Sequence, residues 1–394
     1  MALEKANDET RVEKFYPTPK HLTQVRIGPL LPPTAGNRLA CIADTGNFKL
    51  THIRADGLHG PHDALDVIKP LESHCPSRIE RAAIYGGPYL NHFGHMAAEG
   101  IHRLWCRKVF PDLQDLPVIF QIAEGENPAV EDWFRSMLSL CGVPDSQLIF
   151  VNCLTHVDQL IVPQQGRVLG GEQLIQDYTK LFPLSPIHIP PHAKNNLYIS
   201  RSRQFIKGTY LGEKLVESVL SQNGFEVVYP EMSEVRHVVE KLTAAELVVF
   251  SEGSGIHNLE FCGHISAKIF VIGRRFGTKR RFARLLDSVT SQWHIVPAVS
   301  NDATVHWDDN SGNPSSRQVY GIHDIQEIIR ELNNFAGLNI PVVSPAETHA
   351  AQVNDILRII FDPSAIEDIS DIKLGKAVRF MSKSSIIQNI IIKR

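Results

Sequence analysis

No run of about 20 apolar residues occurs in the 394-residue sequence, so no membrane-spanning helix is expected. The charged start, Met1 to Arg11, lacks the apolar core of a secretion signal, which points to work in the cytoplasm. Cysteine is sparse: the six residues Cys41, Cys75, Cys106, Cys141, Cys153 and Cys262 form no C-x-x-C pair. Neither a zinc ribbon nor a thiol redox motif is on offer, and free thiols in a reducing compartment are the reading. A basic excess is also missing, since 40 Lys and Arg face 43 Asp and Glu for a net charge of −3. That removes the electrostatic footprint of a nucleic-acid binder. No G-x-G-x-x-G follows a first strand, which argues against a nicotinamide enzyme, and no H-E-x-x-H is present. Internal repeats and low-complexity tracts are absent too.

What is present begins with Leu247 to Phe250, a short β-branched run that reads as a buried parallel strand. It breaks into Glu252-Gly253-Ser254-Gly255 and resumes at His257-Asn258 with helical spacing. A strand that turns through small residues into a helix offers backbone N–H groups to phosphate oxygens. Upstream, Leu197-Tyr-Ile-Ser-Arg-Ser-Arg203 reads as a strand ending in two arginines of the same side-chain parity. A helix near Gly212 to Gln222, a strand at Phe225 to Tyr229 and a helix at Val235 to Leu242 lie between the two motifs. In such a doubly wound order, ligands collect at the carboxyl ends of the strands. Two guanidiniums beside a Gly-Ser-Gly turn suit a diphosphate.

These segments, with Asn223-Gly-Phe-Glu-Val-Val-Tyr-Pro230 and His92-Phe-Gly-His-Met-Ala-Ala-Glu99-Gly-Ile-His-Arg-Leu-Trp105, resemble the ordered signatures of glycosyltransferase family 61 from about Tyr85 to Gly273. The resemblance implies a GT-B-like α/β fold, two Rossmann-type domains facing across a cleft, with C-terminal helices that commonly cross back over the N-terminal domain. It also implies an inverting transferase that is metal-independent and uses a nucleotide-diphosphate sugar as co-substrate. Bacterial members are usually associated with surface polysaccharide assembly. The expected partners are therefore a nucleotide sugar and a glycan or lipid-linked glycan acceptor, with at most peripheral membrane contact.

The expected layout is a flexible arm over 1–22, an acceptor-side α/β domain over 23–182 and a Pro-rich connector over 183–193. A nucleotide-sugar domain over 194–300 and a loop with C-terminal helices over 301–394 complete it, with 301–319 read as a surface loop. Strands are expected at Ala82–Tyr85, Val118–Ile122, Leu148–Val151 and Gln159–Val162, with helices near His95–Val109 and Ala129–Cys141.

Inverting transfer needs a base for the acceptor hydroxyl. His95 and Glu99, four apart, share a helical face that His102 and Arg103 would extend. Either Glu99, with His95 orienting it, or His95 itself is the candidate base. Arg201, Arg203, Gly253, Ser254 and Gly255 are the candidates for the diphosphate, and Glu252 for ribose hydroxyls. His257 and Asn258 are the candidates for sugar or phosphate contact. Many relatives carry His where Glu252 stands, so a role transferred from the His form is unsafe. Arg103 and Arg274 are further phosphate or acceptor candidates, although the Gly273–Arg281 run reads first as a solvated loop. No metal ligand set is assigned. Two alternatives stand beside this reading: a zinc-dependent hydrolase built on His92, His95, Glu99 and His102, and a non-catalytic glycan-binding relative.

Overall fold

The computed structural model describes residues 16–30, 40–44, 52–54, 57–59, 77–124, 131–189, 195–275, 277–298, 305–308 and 314–361. The chain divides into two compact units. The first comprises Met1–His188 with Glu234–Arg236 and His257–His264, and the remainder forms the second. Chain passes from one to the other at His188–Ile189, within the Pro-rich segment, of which 190–194 lie outside the described residues.

In the first unit the strands are β1 (Lys20–Leu30), β2 (Ala40–Ala43), β3 (His52–Arg54), β4 (Gly57–His59), β5 (Ser77–Ile79), β6 (Ala83–Pro88), β7 (Val118–Gln121), β8 (Leu148–Val151) and β9 (Thr155–Val162). β3 and β4 form a hairpin of their own, and the others make one sheet in the order β2-β1-β9-β6-β7-β8, with β5 on β9. β6, β7 and β8 are parallel, as expected of buried β-branched runs, but β1 runs antiparallel to both β2 and β9. The sheet is therefore mixed, not wholly Rossmann-type. Lys20 to Leu22 pair with Val162 to Leu160, so the segment read as an arm over 1–22 already contains strand. Residues 1–15 lie outside the described residues. Val25, Ile27, Tyr85, Ile119 and Val157 form the core on this sheet.

The helix expected over His95–Val109 is broken. A short turn, Phe93–His95, runs into a π-helical turn, Met96–Gly100, and α-helix resumes only at Cys106–Val109. The Ile101 N–H reaches back to the Met96 carbonyl at 3.0 Å, one residue further than in an α-helix. Gly100 admits this winding, since a Cβ there would lie 2.5 Å from the Met96 methyl group. Residues after Gly100 are rotated out of α-helical phase, so the face shared by His95 and Glu99 does not continue through His102 and Arg103.

The second unit has five parallel strands, β10 (Asn196–Ile199), β11 (Phe225–Val228), β12 (Leu247–Ser251), β13 (Lys268–Ile272) and β14 (Trp293–Val296). Their order is β11-β10-β12-β13-β14, the doubly wound arrangement in which strand order reverses beside the first strand. Helices Glu213–Gln222, Val235–Ala244 and Thr278–Val289 make the crossovers, while β12 and β13 are joined by a 3-10 helix, Ser254–Phe261, where an α-helix was expected. Within the segment read as a surface loop over 301–319, β15 (Val305–Asp308) pairs antiparallel with β16 (Pro314–Tyr320), and 301–304 and 309–313 lie outside the described residues. No helix among the described residues is long and apolar enough to cross a membrane.

The helix Ile325–Ala336 is capped by Asp324, which accepts from the Gln326 N–H at 2.9 Å, and ends on Gly337 at φ 75°. Its Ile325, Ile328, Ile329 and Leu332 pack with Tyr198, Phe270 and Ile272 in the second unit's own core. The following helix, Pro345–Phe361, is tied there as well, Asp355 Oδ2 accepting from the Gly212 N–H at 2.7 Å. The helices Ile325–Ala336 and Pro345–Phe361 thus pack within the second unit. Leu332→Ala should therefore destabilise the second unit by about 2–5 kcal/mol in urea titration, the range for emptying a filled core site. A loss below about 1 kcal/mol would show that this helix is no part of the core.

Candidate functional site

At the carboxyl end of β10 the backbone leaves the strand at Arg201 and enters a 3-10 turn, Ser202–Lys207. The parity expected of Arg201 and Arg203 is lost with the strand: Arg201 is buried, whereas Arg203 is exposed and stacks 4.0 Å above the Tyr229 ring. The Arg201 Nε and Nη2 donate to the Gly208 carbonyl at 3.3 and 3.1 Å. Its guanidinium lies flat on the Gly253 α-carbon, where a Cβ would sit 2.6 Å from Arg201 Cδ and closer still to Nη1. Gly253 is glycine because an arginine occupies the space of its side chain. Gly255 is packed too, a Cβ there lying 3.3 Å from Pro230 Cγ. Half-buried Ser254 opens the 3-10 helix, and Ile256 N–H closes its first turn on the Gly253 carbonyl at 3.2 Å.

Arg274, at the end of β13, is only 5 % exposed, so the reading of Gly273–Arg281 as a solvated loop fails at its most important residue. Its Nη1 donates to the Lys207 carbonyl at 2.9 Å, next in the chain to the carbonyl that holds Arg201. Two guanidiniums from different strand ends thus rest on consecutive carbonyls of one loop. Burial, then Arg201 and Arg275, push Arg274 down to about 8. A guanidinium stays charged at neutral pH, so that depression reflects its burial first and the neighbouring cations second. Burial lowers Arg201 and Arg275 likewise, against the pull of nearby carboxylates.

Glu252 does not play the part expected of it. It is completely buried, and its Oε2 accepts from the Arg274 N–H at 2.8 Å, the Arg275 N–H at 3.1 Å and Thr278 Oγ1 at 2.5 Å. Its Oε1 takes Arg275 Nη1 at 3.4 Å. With its lone pairs committed to the 273–278 loop, it is a brace beneath the arginines and is not placed for a ribose. The buried Glu213 was missed altogether, because an acid in a first helical turn reads as ordinary dipole compensation.

In the first unit His95 Nδ1 meets Glu99 Oε1 at 2.8 Å. Their side chains differ sharply in exposure, 33 % for His95 and 1 % for Glu99. Arg103 is buried, donating through Nη1 to the Pro163 carbonyl at 2.5 Å and lying over the Tyr85 ring. His102 is buried with Nδ1 at 3.1 Å from the Tyr178 hydroxyl and Nε2 at 3.7 Å from Glu260 Oε2. It has turned away from His95, and among the described residues no group of three or more His, Cys, Asp or Glu is placed to hold a metal ion. The zinc hydrolase alternative therefore loses its ligand set.

Glu260, also missed from sequence, is the centre of this unit's buried charge. Burial raises its pKa, but Arg167, His257 and His102 outweigh that and hold it at about 2. Arg167 Nη1 pairs with it directly while Nη2 donates to Thr179 Oγ1 at 2.6 Å. His257 Nδ1 lies 3.5 Å from the other Glu260 oxygen, and Asn258 is buried beside it in the chain. A Glu two residues beyond an Asn in an apolar turn carries no sequence signal of a partner ninety-three positions upstream.

The stretch 93–268 matches the family model of Glycosyltransferase 61. No curated protein matches the chain.

Two predictions follow from these geometries. Gly253→Ala should displace Arg201, whose side chain occupies the space of the new methyl group. Pyrophosphate should then protect the variant less than wild type against heat, by at least about half of the shift seen at a hundred dissociation constants' concentration. Equal protection would detach Arg201 from any anion site. The second concerns acid. Burial holds His102 near 4 against 6.5 in an unfolded chain, so between those values the unfolded state binds more protons. Stability should fall as pH drops from 6.5 towards 4, by up to about 1.4 kcal/mol per pH unit from this group. Glu260 adds a further loss below about 4.5, as its carboxylate is protonated in the unfolded state first. Urea midpoints of His102→Gln should show a shallower decline over pH 7 to 4, and an unchanged slope would refute the assignment.

Proposed function

We propose, from the match of residues 93–268 to the Glycosyltransferase 61 family model, that the chain moves a sugar, with inversion, from a nucleoside-diphosphate sugar to a hydroxyl of a glycan or lipid-linked glycan. One observation carries the donor half of this reading. Buried Arg201 and Arg274 donate to the consecutive carbonyls of Gly208 and Lys207, and the charge of Arg201 depresses that of Arg274. Like charges held together in a partly desolvated place repel by several kcal/mol, ~4 at 4 Å with an effective dielectric of 20. A diphosphate relieves that repulsion, and guanidinium forks match its oxygens. Arg275 adds a third cation, and Gly253 and Ser254 border them.

In the reaction the acceptor oxygen forms a bond to the anomeric carbon while the bond from that carbon to the phosphate oxygen breaks. The electron pair leaves with the nucleoside diphosphate, whose growing charge settles on Arg201 and Arg274. The reading therefore expects no divalent metal on the leaving group and no cofactor beyond the donor itself. The acceptor's proton needs a base, and the candidate for it in the first unit is the His95–Glu99 pair. Their exposures favour one order of roles: His95 takes the proton, and the buried Glu99 orients the ring and stabilises the imidazolium, as a carboxylate does behind a catalytic histidine. Surface polysaccharide assembly is the setting the family resemblance suggests for such chemistry.

Calorimetry with UDP, GDP, CMP and NAD, each with magnesium or with EDTA, tests the donor half. One nucleoside diphosphate should bind and be indifferent to EDTA, and Arg201→Ala should weaken it at least tenfold, about 1.4 kcal/mol. No diphosphate binding at millimolar concentration would sink the reading. His95→Asn and Glu99→Gln should keep that affinity and lose turnover by about 10²–10⁴-fold. Full turnover in both would dismiss the pair as the base, and diphosphate binding without turnover in wild type would leave a glycan-binding relative.

A further inference from the structure

The loop that presents both guanidiniums begins at Ser200 and Arg201 and ends at Gly208 and Thr209, and both of its ends meet one side chain. Glu213, in the first turn of the helix after that loop, is 1 % exposed. Its Oε1 accepts from the Arg201 N–H at 2.7 Å and from the Tyr198 hydroxyl at 3.0 Å. Its Oε2 accepts from Thr209 Oγ1. Ser200 Oγ, 3.4 Å from Oε1, gives its proton in the main to Glu217 Oε2 at 2.6 Å, and Ser202 Oγ joins Glu217 at 2.7 Å.

We propose that Glu213 is the positioning residue of the anion site: one buried carboxylate that ties the two ends of the 200–209 loop and so fixes the carbonyls on which Arg201 and Arg274 rest. The inference rests on the donor-site reading above. Glu213 touches no part of a ligand. It acts through Arg201, whose backbone it holds, and through Thr209, whose neighbour Gly208 supplies the carbonyl under the Arg201 guanidinium. Gly208 needs a fixed setting because it sits at φ 82°, ψ 141°, a conformation a free glycine leaves readily. The placement of Glu213 is itself constrained. It follows Gly212, at φ 87°, whose N–H is held by Asp355 and where a Cβ would strike Ile325 Cδ1. The acid therefore enters its helix at a set angle.

The carboxylate's acceptor capacity is the property in use. An amide of the same shape keeps one oxygen and gains two donors, so it cannot accept from Arg201, Tyr198 and Thr209 together. Glu213→Gln should thus keep the side chain's volume, replace the charge-assisted bonds with neutral ones, reverse the bond to Thr209 and so loosen the hold on Arg201.

A double-mutant cycle decides it, read by calorimetry with inorganic pyrophosphate, which needs no particular base, and with UDP and GDP. Glu213→Gln should weaken diphosphate binding about tenfold or more in the wild-type background, the scale of losing a hydrogen bond with a charged partner. In the Arg201→Ala background the same change should cost less than about twofold, because the group it positions is gone. A purely structural role would weaken both backgrounds equally, and that result overturns the proposal, as does a folded Glu213→Gln that binds within twofold of wild type. If Glu213→Gln shows no cooperative unfolding, Thr209→Val, which cuts only the far tether, takes its place under the same two criteria. A wild-type protein that takes none of the three ligands overturns the donor site itself, and a failed cycle in a binding wild type overturns only the part given to Glu213.

Discussion

The second unit is organised around a repulsion. Arg201 and Arg274 arrive from the ends of β10 and β13 and are held beside each other on neighbouring carbonyls, out of water. Nothing in folding favours that arrangement by itself, since burial and mutual repulsion both act against it. It persists because the surroundings leave no alternative place. Gly253 cedes its side-chain volume to one guanidinium, Glu213 holds that arginine's backbone, and Glu252 holds the backbones of Arg274 and Arg275. The parallel order β11-β10-β12-β13-β14 brings these strand ends together although the chain separates them.

Buried charge alone would not have marked the place. The first unit buries Arg107 and Arg167 just as deeply, but each is answered. Arg107 donates to the carbonyls of Leu116 and Gly142 and to Gln147, closing the turn after the helix Asp132–Leu140. Arg167 faces the ionised Glu260 and bonds Thr179, which fastens the 257–264 segment within that unit. Breaking such a pair from one side costs about 3–5 kcal/mol, so these are supports of the fold. The distinguishing mark of the second unit is a cation whose largest charged neighbours are other cations.

Much of this was legible beforehand where local pattern and tertiary structure agree. The β-branched runs at Leu197, Phe225, Leu247 and Lys268 are strands because they are buried on both faces, and Gly253 and Arg201 were singled out for the chemistry of strand ends. The failures have physical causes. β1 alternates poorly and carries Lys20, His21 and Thr23 at one exposed end, so it resembles an arm, and only its pairing with β9 makes it a strand. The break after Glu99 depends on the Met96 side chain packing over Gly100, which no periodicity reveals. Arg203 was misplaced by assuming that strand geometry continued past Ile199. Glu252 looked like a ligand-facing acid and Glu213 was passed over, because burial of a carboxylate is visible only with its donors, all but a few of which are distant in the chain.

Glu252 shows why a role should follow the donors and not the position. A neutral imidazole there could accept one hydrogen bond through one nitrogen. The carboxylate accepts two backbone N–H groups and the Thr278 hydroxyl, and brings a full negative charge beneath three arginines. Its presence and their crowding are two sides of one constraint. Without that charge, Glu213 and Glu231 would be left to offset Arg201, and the mutual crowding of Arg201, Arg274 and Arg275 would grow. An acid at this position therefore permits a denser set of cations than a histidine does. The residue expected to face a ligand instead holds the backbones of the arginines beside it.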